Sequence, residues 1–256
     1  MRVDSFLSIF RRWLVLGLSL LGAQALANYA PVPDGYVLLS IDNSSRYLVA
    51  GGARFYIPPA QVSLYSGAST VALSQATINS YTQIPQDGTL FRQINTSQVY
   101  VVVGGMYWAI PSATELDYWD DWKVINNIPN SNWQEAFVNL AFSNKLLVQE
   151  RTTSQAYLWV AGAKFPITNS SDYTYFGGGG SARIIPLGSL ANITSQPWCG
   201  ANLRERSSST VYALGYISSS STTMRKAATS APAHSDVPDG ALAPFPVFTG
   251  TPACIW

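Results

Sequence analysis

The feature that most constrains the fold is a stretch that recurs along the chain. Its clearest copy is Thr89–Pro111, which reads TLFRQINTSQVYVVVGGMYWAIP. An alternating run, a run of β-branched residues and an aromatic run follow one another, with Gly104-Gly105 between the last two. A double glycine between apolar runs favours a tight hairpin, because both turn positions can adopt a positive φ without steric cost. The stretch therefore predicts three consecutive strands.

Copies of this stretch follow at a nearly constant interval. A tyrosine in the second strand marks the register, and its copies lie 53, 57 and 55 residues apart, at Tyr47, Tyr100, Tyr157 and Tyr212. A period near 50 residues with four short strands per unit is typical of propellers and not of solenoids. The second strand is apolar at almost every position, which indicates cover on both faces. We therefore predict a mainly β repeat protein of four units, arranged as a small four-bladed β-propeller; the alternative is a non-circular array of β-rich modules.

The unit boundaries come from turns of the Pro-Asp-Gly type. The predicted units cover residues 35–87, 88–142, 143–198 and 199–239, and a closing segment covers 240–256. Short helices are predicted at Ser74–Gln83, with Ser74 as N-cap, and at about Asn132–Leu140. In the degenerate fourth unit, a serine-rich run (Ser218–Thr223) replaces the glycine hairpin and Ala227–Ala233 is predicted as an exposed loop. Val237–Gly240 repeats the opening turn, as though a fifth unit began there.

The first 27 residues predict a secretory signal peptide. Three arginines precede an apolar run at Trp13–Leu21, and Ala25-Leu26-Ala27 is a cleavage signal. We therefore expect a secreted or cell-surface protein with one repeat domain, residues 28–256, and no membrane span after cleavage. In such an oxidising compartment, the two cysteines, Cys199 and Cys254, are expected to form a disulfide.

The charge of the chain excludes one class of partner. Only 11% of residues are charged, and the chain without its first 27 residues is close to neutral. Nucleic-acid binding requires a basic patch, so we expect no nucleic-acid partner.

The recurring pattern resembles a tandem repeat of many secreted and cell-surface bacterial proteins. In that repeat, G-T-L-x-R is followed by V-Y-V-x-x-G-G-x-x-F-x-I-P-S and then by V and I-P. The similarity covers Gly35 to about Ile193. The resemblance implies a secreted binding or wall-associated module without catalytic residues. A looser similarity to hemopexin-like four-bladed repeats occurs in Tyr107-Trp108 and Trp133–Phe137. It implies the architecture alone. That family joins its first and last blades by a disulfide, whereas both cysteines here lie late in the chain.

Residues that could support catalysis or metal binding are sparse. His234 is the only histidine, and its Ser/Ala/Pro-rich surroundings predict a solvated loop residue. Its neighbours Ser235 and Asp236 do not make a catalytic triad by adjacency, and no G-x-S-x-G elbow is present. The glycine run Gly177–Gly180 predicts a flexible loop and not a phosphate cradle. A single histidine also excludes a His-ligated zinc site.

One acidic cluster, Glu115, Asp117, Asp120 and Asp121, lacks the D-x-D-x-D-G pattern of a calcium loop. We expect it to form a solvated face beside a helix, and nothing in it sets the separation of a glycosidase pair. No metal or cofactor is predicted, and an extracellular hydrolase is the least favoured function.

Tryptophans in the second and third units are the candidate ligand-binding residues. They are Trp108, Trp119, Trp122, Trp133 and Trp159. They either pack between units or form a platform that stacks sugars. The low charge and abundant neutral polar residues fit a secreted, non-enzymatic module that binds carbohydrate or a cell-surface polymer. The alternative is a structural or protein-interaction module of the cell envelope, with a cell-surface protein as partner.

Overall fold

Four sheets, one per repeat unit, make up the fold of this computed structural model. The structure describes residues 32–120, 124–131, 133, 134, 137, 145–177, 180–216, 223–230, 232–250 and 254. The first sheet contains β1 (Val37–Ser40), β2 (Arg46–Ala50), β3 (Ala53–Ile57) and β4 (Thr70–Leu73). The second contains β5 (Leu90–Gln93), β6 (Val99–Val103), β7 (Met106–Ile110) and β8 (Asn126–Ile128). The third contains β9 (Leu146–Glu150), β10 (Ala156–Val160), β11 (Ala163–Pro166) and β12 (Arg183–Ile185), and the fourth β13 (Asn202–Glu205), β14 (Val211–Tyr216), β15 (Thr223–Ala227) and β16 (Ser235–Val237).

Each sheet has the same strand order, third–second–first–fourth. The first three strands form an antiparallel meander, and the fourth pairs parallel with the first, as in Val37 with Thr70. A parallel pair needs a crossover connection, because the chain must return to the same end of the sheet. In the first three units that connection carries a helix: a 3₁₀ helix at Pro59–Tyr65, α2 at Ala113–Asp120 and α3 at Ser170–Gly177. A further helix, α1 (Gln75–Asn79), follows β4 and is capped by Ser74, whose hydroxyl accepts a hydrogen bond from Thr77 N–H, as predicted.

The glycine hairpins between the second and third strands are confirmed. Gly51, Gly52, Gly104 and Gly105 all have φ between +57° and +73°. In units one and two, the aspartate of the opening turn caps the glycine hairpin of the same unit. This capping explains why the turn and the hairpin recur together. Asp34 accepts hydrogen bonds from the N–H groups of Gly51 and Gly52, at 2.7 and 3.1 Å. Asp87 caps Gly104 and Gly105 in the same way, at 2.9 and 3.0 Å.

The Pro-Asp-Gly turn at Val237–Gly240 does not begin a fifth unit. Asp239 lies within unit four, where it accepts hydrogen bonds from Ser207 N–H and Arg206. The following chain pairs with the outer strand of the same unit, through a bond of 2.9 Å from Arg225 N–H to the Pro246 carbonyl. Unit one makes the equivalent bond from Arg54 N–H to the Thr82 carbonyl. The recurrence of this turn therefore marks two different places in a unit: it caps a hairpin at the start of unit one and follows the fourth strand in unit four.

A buried side chain stands five residues after each fourth strand. The four equivalents are Ile78, Trp133, Leu190 and Leu242, with at most 5% of the residue exposed. The burial of this position therefore recurs in all four units.

The fourth unit contains a third strand that the sequence did not predict. Strand β15 pairs antiparallel with β14 from Tyr212–Ala227 to Tyr216–Thr223. Ala227 was predicted as the start of a loop and instead ends this strand. Of its five residues only Thr223 is buried, so the strand lacks the apolar pattern that marks its counterparts. Residues 218–222 lie outside the described part of the chain, as does most of the helix predicted at 132–140.

Consecutive sheets pack face to face. The second strand of one unit contacts the fourth strand of the next, in the pairs β2–β8, β6–β12 and β10–β16. One hydrophobic core joins units one, two and three, and another joins units three and four. Among the described residues, neither core joins unit four to unit one. The predicted disulfide is confirmed: Cys199 bonds to Cys254 within the last unit.

Candidate functional site

The tryptophans proposed from sequence as a ligand platform are largely core residues. Trp108, Trp133 and Trp159 are only 3–5% exposed. Trp108 donates its indole N–H to the Val103 carbonyl at 3.1 Å and packs edge-on to Trp159, with ring centroids 6.2 Å apart. These three side chains are too deeply buried to form an open platform, so that interpretation is corrected for them. Trp119 is half-buried, and Trp122 lies outside the described residues.

Trp119 belongs to a polar junction between units two and three. Its indole N–H donates to Glu115 at 2.8 Å, and Glu115 also accepts hydrogen bonds from Arg151 (2.6 Å) and Leu187 N–H (2.9 Å). Burial by itself would raise the pKa of Glu115, but these hydrogen bonds outweigh it and hold the pKa below its usual value. Glu115 is 3% exposed, so the predicted solvated face is wrong for this residue, although Asp117 is exposed as expected. The side chains of Asp120 and Asp121 lie outside the described set.

The same junction recurs one unit later. Asp172, at the position in α3 that Glu115 has in α2, is fully buried and pairs with Arg206 at 2.6 Å. Each arginine directly follows the first strand of its unit and reaches back to the helix of the preceding unit. These carboxylates therefore hold consecutive units together and are not free for catalysis.

His234 is half-buried and not the solvated loop residue that the sequence predicted. Its Nδ1 lies 2.9 Å from the Pro232 carbonyl, and its Nε2 lies 3.7 Å from Asp236 Oδ1. Asp236 already accepts hydrogen bonds from Arg204 (2.9 Å) and the Tyr175 hydroxyl (2.6 Å). This geometry supports a structural junction.

A concave cleft lies between units one and two. We call it the Arg54 cleft; its volume is about 610 Å³. Its lining comes from β2, β3, α1 and the segments after α1 and β8, and consists of Tyr47, Arg54, Phe55, Tyr56, Pro58, Asn79, Gln83, Asn130, Ser131 and Trp133. Tyr56 is 43% exposed at the rim, whereas Trp133 is a buried wall. Apart from Arg54, no charged residue occurs among these lining side chains.

Hydrogen bonds between the two units fix the wall of the cleft. Gln61, in the 3₁₀ helix of unit one, donates to the Asn130 carbonyl at 2.8 Å and accepts from Asn130 N–H at 2.9 Å. Trp133 packs edge-on to Phe91 and Tyr107, with centroid distances of 5.1 and 4.8 Å. The lining residues are thus placed by the repeat fold itself and do not depend on an isolated loop.

Arg54 has an unusual environment for a cation. Its guanidinium lies 5.5 Å from the centroid of the Tyr47 ring, and Nη1 donates to the side-chain oxygen of Asn79. Its Nε is buried and has no hydrogen-bond partner among the described residues. The indole N–H of Trp133 is likewise buried and unpartnered within the described chain. Of the lining residues only Trp133 was among the candidates predicted from sequence, because the aromatic, amide and cationic residues of the cleft come from two units.

The repeat places an equivalent cleft between units three and four. Its volume is about 550 Å³, and Lys164, Phe165 and Thr168 take the positions of Arg54, Phe55 and Pro58. Pro166 replaces Tyr56, so the rim has no aromatic ring there.

The described residues contain no group of three or more His, Cys, Asp or Glu side chains that could hold a metal ion. No helix among them has the length and apolar character needed to cross a bilayer.

Comparisons with known proteins provide little support for any family. No protein-family model matches the chain, and no curated protein matches it. One match among solved structures is the periplasmic assembly from the ESX-5 inner membrane complex, at 12% identity and a TM-score of 0.21. The match covers 91% of this chain and 63% of that chain. A TM-score this low does not establish a common fold.

Proposed function

We propose that this protein is a secreted, non-enzymatic binding module and that the Arg54 cleft binds carbohydrate or a related surface polymer. The observation that carries the proposal is the composition of the cleft. Tyr47 and Tyr56 provide ring faces, while Asn79, Asn130 and Gln83 provide amide donors and acceptors. Sugars present apolar C–H faces and hydroxyl groups together, and this mixture of aromatic and amide groups is complementary to both.

The composition of the cleft also favours binding over turnover. Its described lining contains no carboxylate, histidine or cysteine, and so no general base that could activate a hydroxyl such as that of Ser131. Glu115 and Asp172 are the buried acidic residues described in the second and third units, and each forms an ion pair with an arginine. We therefore favour retention of a ligand as the activity.

The test is retention on a glycan array and on insoluble polysaccharides. The wild type should bind a defined group of glycans, and Tyr56→Ala should weaken that binding by about tenfold, because it removes the exposed ring at the rim. Tyr118→Ala is the matched control, since Tyr118 is also exposed (57%) but does not line the cleft. Absence of wild-type binding to every glycan and polymer would refute the proposed function.

We also propose that residues 1–27 are removed on secretion, which the signal-peptide pattern and the disulfide support. Amino-terminal sequencing of the extracellular protein should begin at Asn28. A protein retained in the cytoplasm with Met1 intact would contradict this.

The arrangement of the units supports a further proposal, that they stand around a common axis as the blades of a small propeller. The same strand-to-strand contact is made three times in succession, and a repeated head-to-tail contact closes into a ring when its rotation allows. Small-angle scattering of the mature protein should then give a radius of gyration near 17 Å, the value expected for a compact chain of this length. A clearly larger value with an elongated profile would favour the open array.

A further inference from the structure

Resting on the proposed function, we propose that the Arg54 cleft selects acidic saccharides, and that Arg54 pairs with a carboxylate on the sugar. The class of ligand is a uronic acid or another carboxylated sugar within a glycan. The proposal goes beyond carbohydrate binding because it assigns the charge of the ligand and the residue that recognises it.

The first observation behind this proposal is that Arg54 has no anionic partner among the described residues. Four of the eight described arginines have carboxylate partners, as Arg151 has Glu115, Arg204 has Asp236 and Arg206 has Asp172. Arg46, Arg92 and Arg225 resemble Arg54 in having none among the described residues, but none of the three lines the Arg54 cleft. Arg54 has no carboxylate within ion-pair distance among the described residues, and its only side-chain hydrogen bond goes to the neutral amide of Asn79. A half-buried guanidinium without an anion is incompletely compensated, so an arriving carboxylate gains a charge-assisted interaction.

The second observation concerns the hydrogen-bond donors of the Arg54 guanidinium. Guanidinium presents five N–H donors in a planar fork that matches a carboxylate. Nη1 donates to Asn79, and Nε is buried and unpartnered. Nη2 has no partner in the described part of the chain, so it is the nitrogen left to meet a carboxylate in the cleft. The guanidinium lies 5.5 Å from the centroid of the Tyr47 ring and is held by Asn79, and these contacts restrict the side chain, which lowers the cost of ordering it for a ligand.

The rest of the cleft accepts an anion without repulsion. Its other lining residues are neutral, and Tyr56 at the rim offers a ring face to the same sugar. The equivalent cleft of units three and four differs in both respects. There Lys164 donates to the Leu190 carbonyl at 2.6 Å, and the carboxylate of Asp239 lines the cleft. Acid selectivity is therefore expected at the Arg54 cleft only.

The chain offers a matched control for Arg54. Arg225 has the same repeat position in unit four, lies 4.9 Å from the centroid of the equivalent ring, Tyr212, and also has a buried, unpartnered Nε. It does not line either of the two clefts. Replacing Arg225 therefore shows the effect of removing an arginine beside a tyrosine ring outside the cleft. Replacing Arg54 shows the effect of removing one within it.

The experiment measures binding of oligogalacturonates and of their methyl esters by titration calorimetry. The wild type should bind the acid at least tenfold more tightly than the ester, with an affinity that falls as salt is raised. Arg54→Gln should weaken binding of the acid by at least tenfold and change binding of the ester by less than twofold. Arg54→Lys should restore part of the loss, and Arg225→Gln should bind as the wild type does. Urea midpoints of all variants show whether they are folded.

The outcomes separate this inference from the proposed function. Equal binding of acid and ester, unaffected by Arg54→Gln, would overturn acid selectivity while leaving carbohydrate binding in place. Displacement of the acid by inorganic phosphate at equal affinity would overturn the assignment to a sugar carboxylate, because the cleft would then bind oxyanions in general. No binding of either oligosaccharide, together with no glycan bound on the array, would refute both proposals.

Discussion

Replacing Glu115 by glutamine tests the account of how units two and three are joined. The carboxylate is buried and accepts hydrogen bonds from the guanidinium of Arg151, the indole N–H of Trp119 and the backbone N–H of Leu187. Glutamine has nearly the same shape, but its amide offers one acceptor oxygen and adds two donors. At least one of the existing donors then loses its acceptor, and the positive charge of Arg151 loses its counter-ion.

The expected cost of Glu115→Gln is about 2 kcal/mol of unfolding free energy. Hydrogen bonds to charged groups contribute about 1.5–3 kcal/mol each, and leaving a buried group unpaired adds to the loss. The guanidinium of Arg151 keeps access to water, with 23% of its side chain exposed, so the full cost of a stranded buried charge does not apply. The lower part of the range is therefore appropriate.

The effect should depend on pH with a defined sign. Because the pKa of Glu115 is lower in the folded protein than in the unfolded chain, its contribution is fully present above the unfolded value, about 4.3. The contribution is lost as pH falls through the lower, folded value. The difference in stability between wild type and Glu115→Gln should therefore be constant at neutral pH and shrink in acid.

The assay is equilibrium urea unfolding, followed by tryptophan fluorescence at several pH values. Asp117→Asn, on the exposed side of the same helix, is the control and should change stability by less than about 0.5 kcal/mol. A loss for Glu115→Gln no larger than for Asp117→Asn, or one that grows in acid, would refute the reasoning.

Two further predictions concern the repeat and its last unit. Replacing both Cys199 and Cys254 by alanine should lower the free energy of unfolding by about 4 kcal/mol, the chain-entropy estimate for a loop of 55 residues. Calorimetry that finds no change in Tm would contradict this. Asp34→Ala should cost about 1 kcal/mol, because the N–H groups of Gly51 and Gly52 lose their cap, whereas Asp34→Asn should retain part of it; equal urea midpoints for both variants and wild type would contradict the capping role.

The sequence predicted the strands of the first three units well because each hairpin carries its own local signal. The stretch Thr89–Pro111, for example, contains the three consecutive strands β5, β6 and β7 that its pattern predicted. The fourth unit was harder, since β15 has one buried residue and no glycine turn to announce it. The parallel pairing of each fourth strand also had no local signal, because it depends on how the connecting helix crosses the sheet.

The candidate site was predictable only in part. The aromatic residues of the second and third units were noticed, but composition could not separate a buried Trp108 from an exposed Tyr56. The Arg54 cleft combines residues 54 and 131 across a unit boundary, which no single stretch reveals. One available signal was missed: Glu115 and Asp172 share a repeat position, and so do their arginines, which points to recurring ion pairs.

The most direct test of the central claim is to map a bound glycan on the protein by NMR. A glycan selected on the array would be titrated into ¹⁵N-labelled mature protein, and backbone shifts followed. The account predicts that the largest changes fall in β3 and in the segment after β8, around Arg54, Tyr56 and Asn130. Changes confined to the cleft of units three and four, or to a surface remote from both clefts, would contradict it.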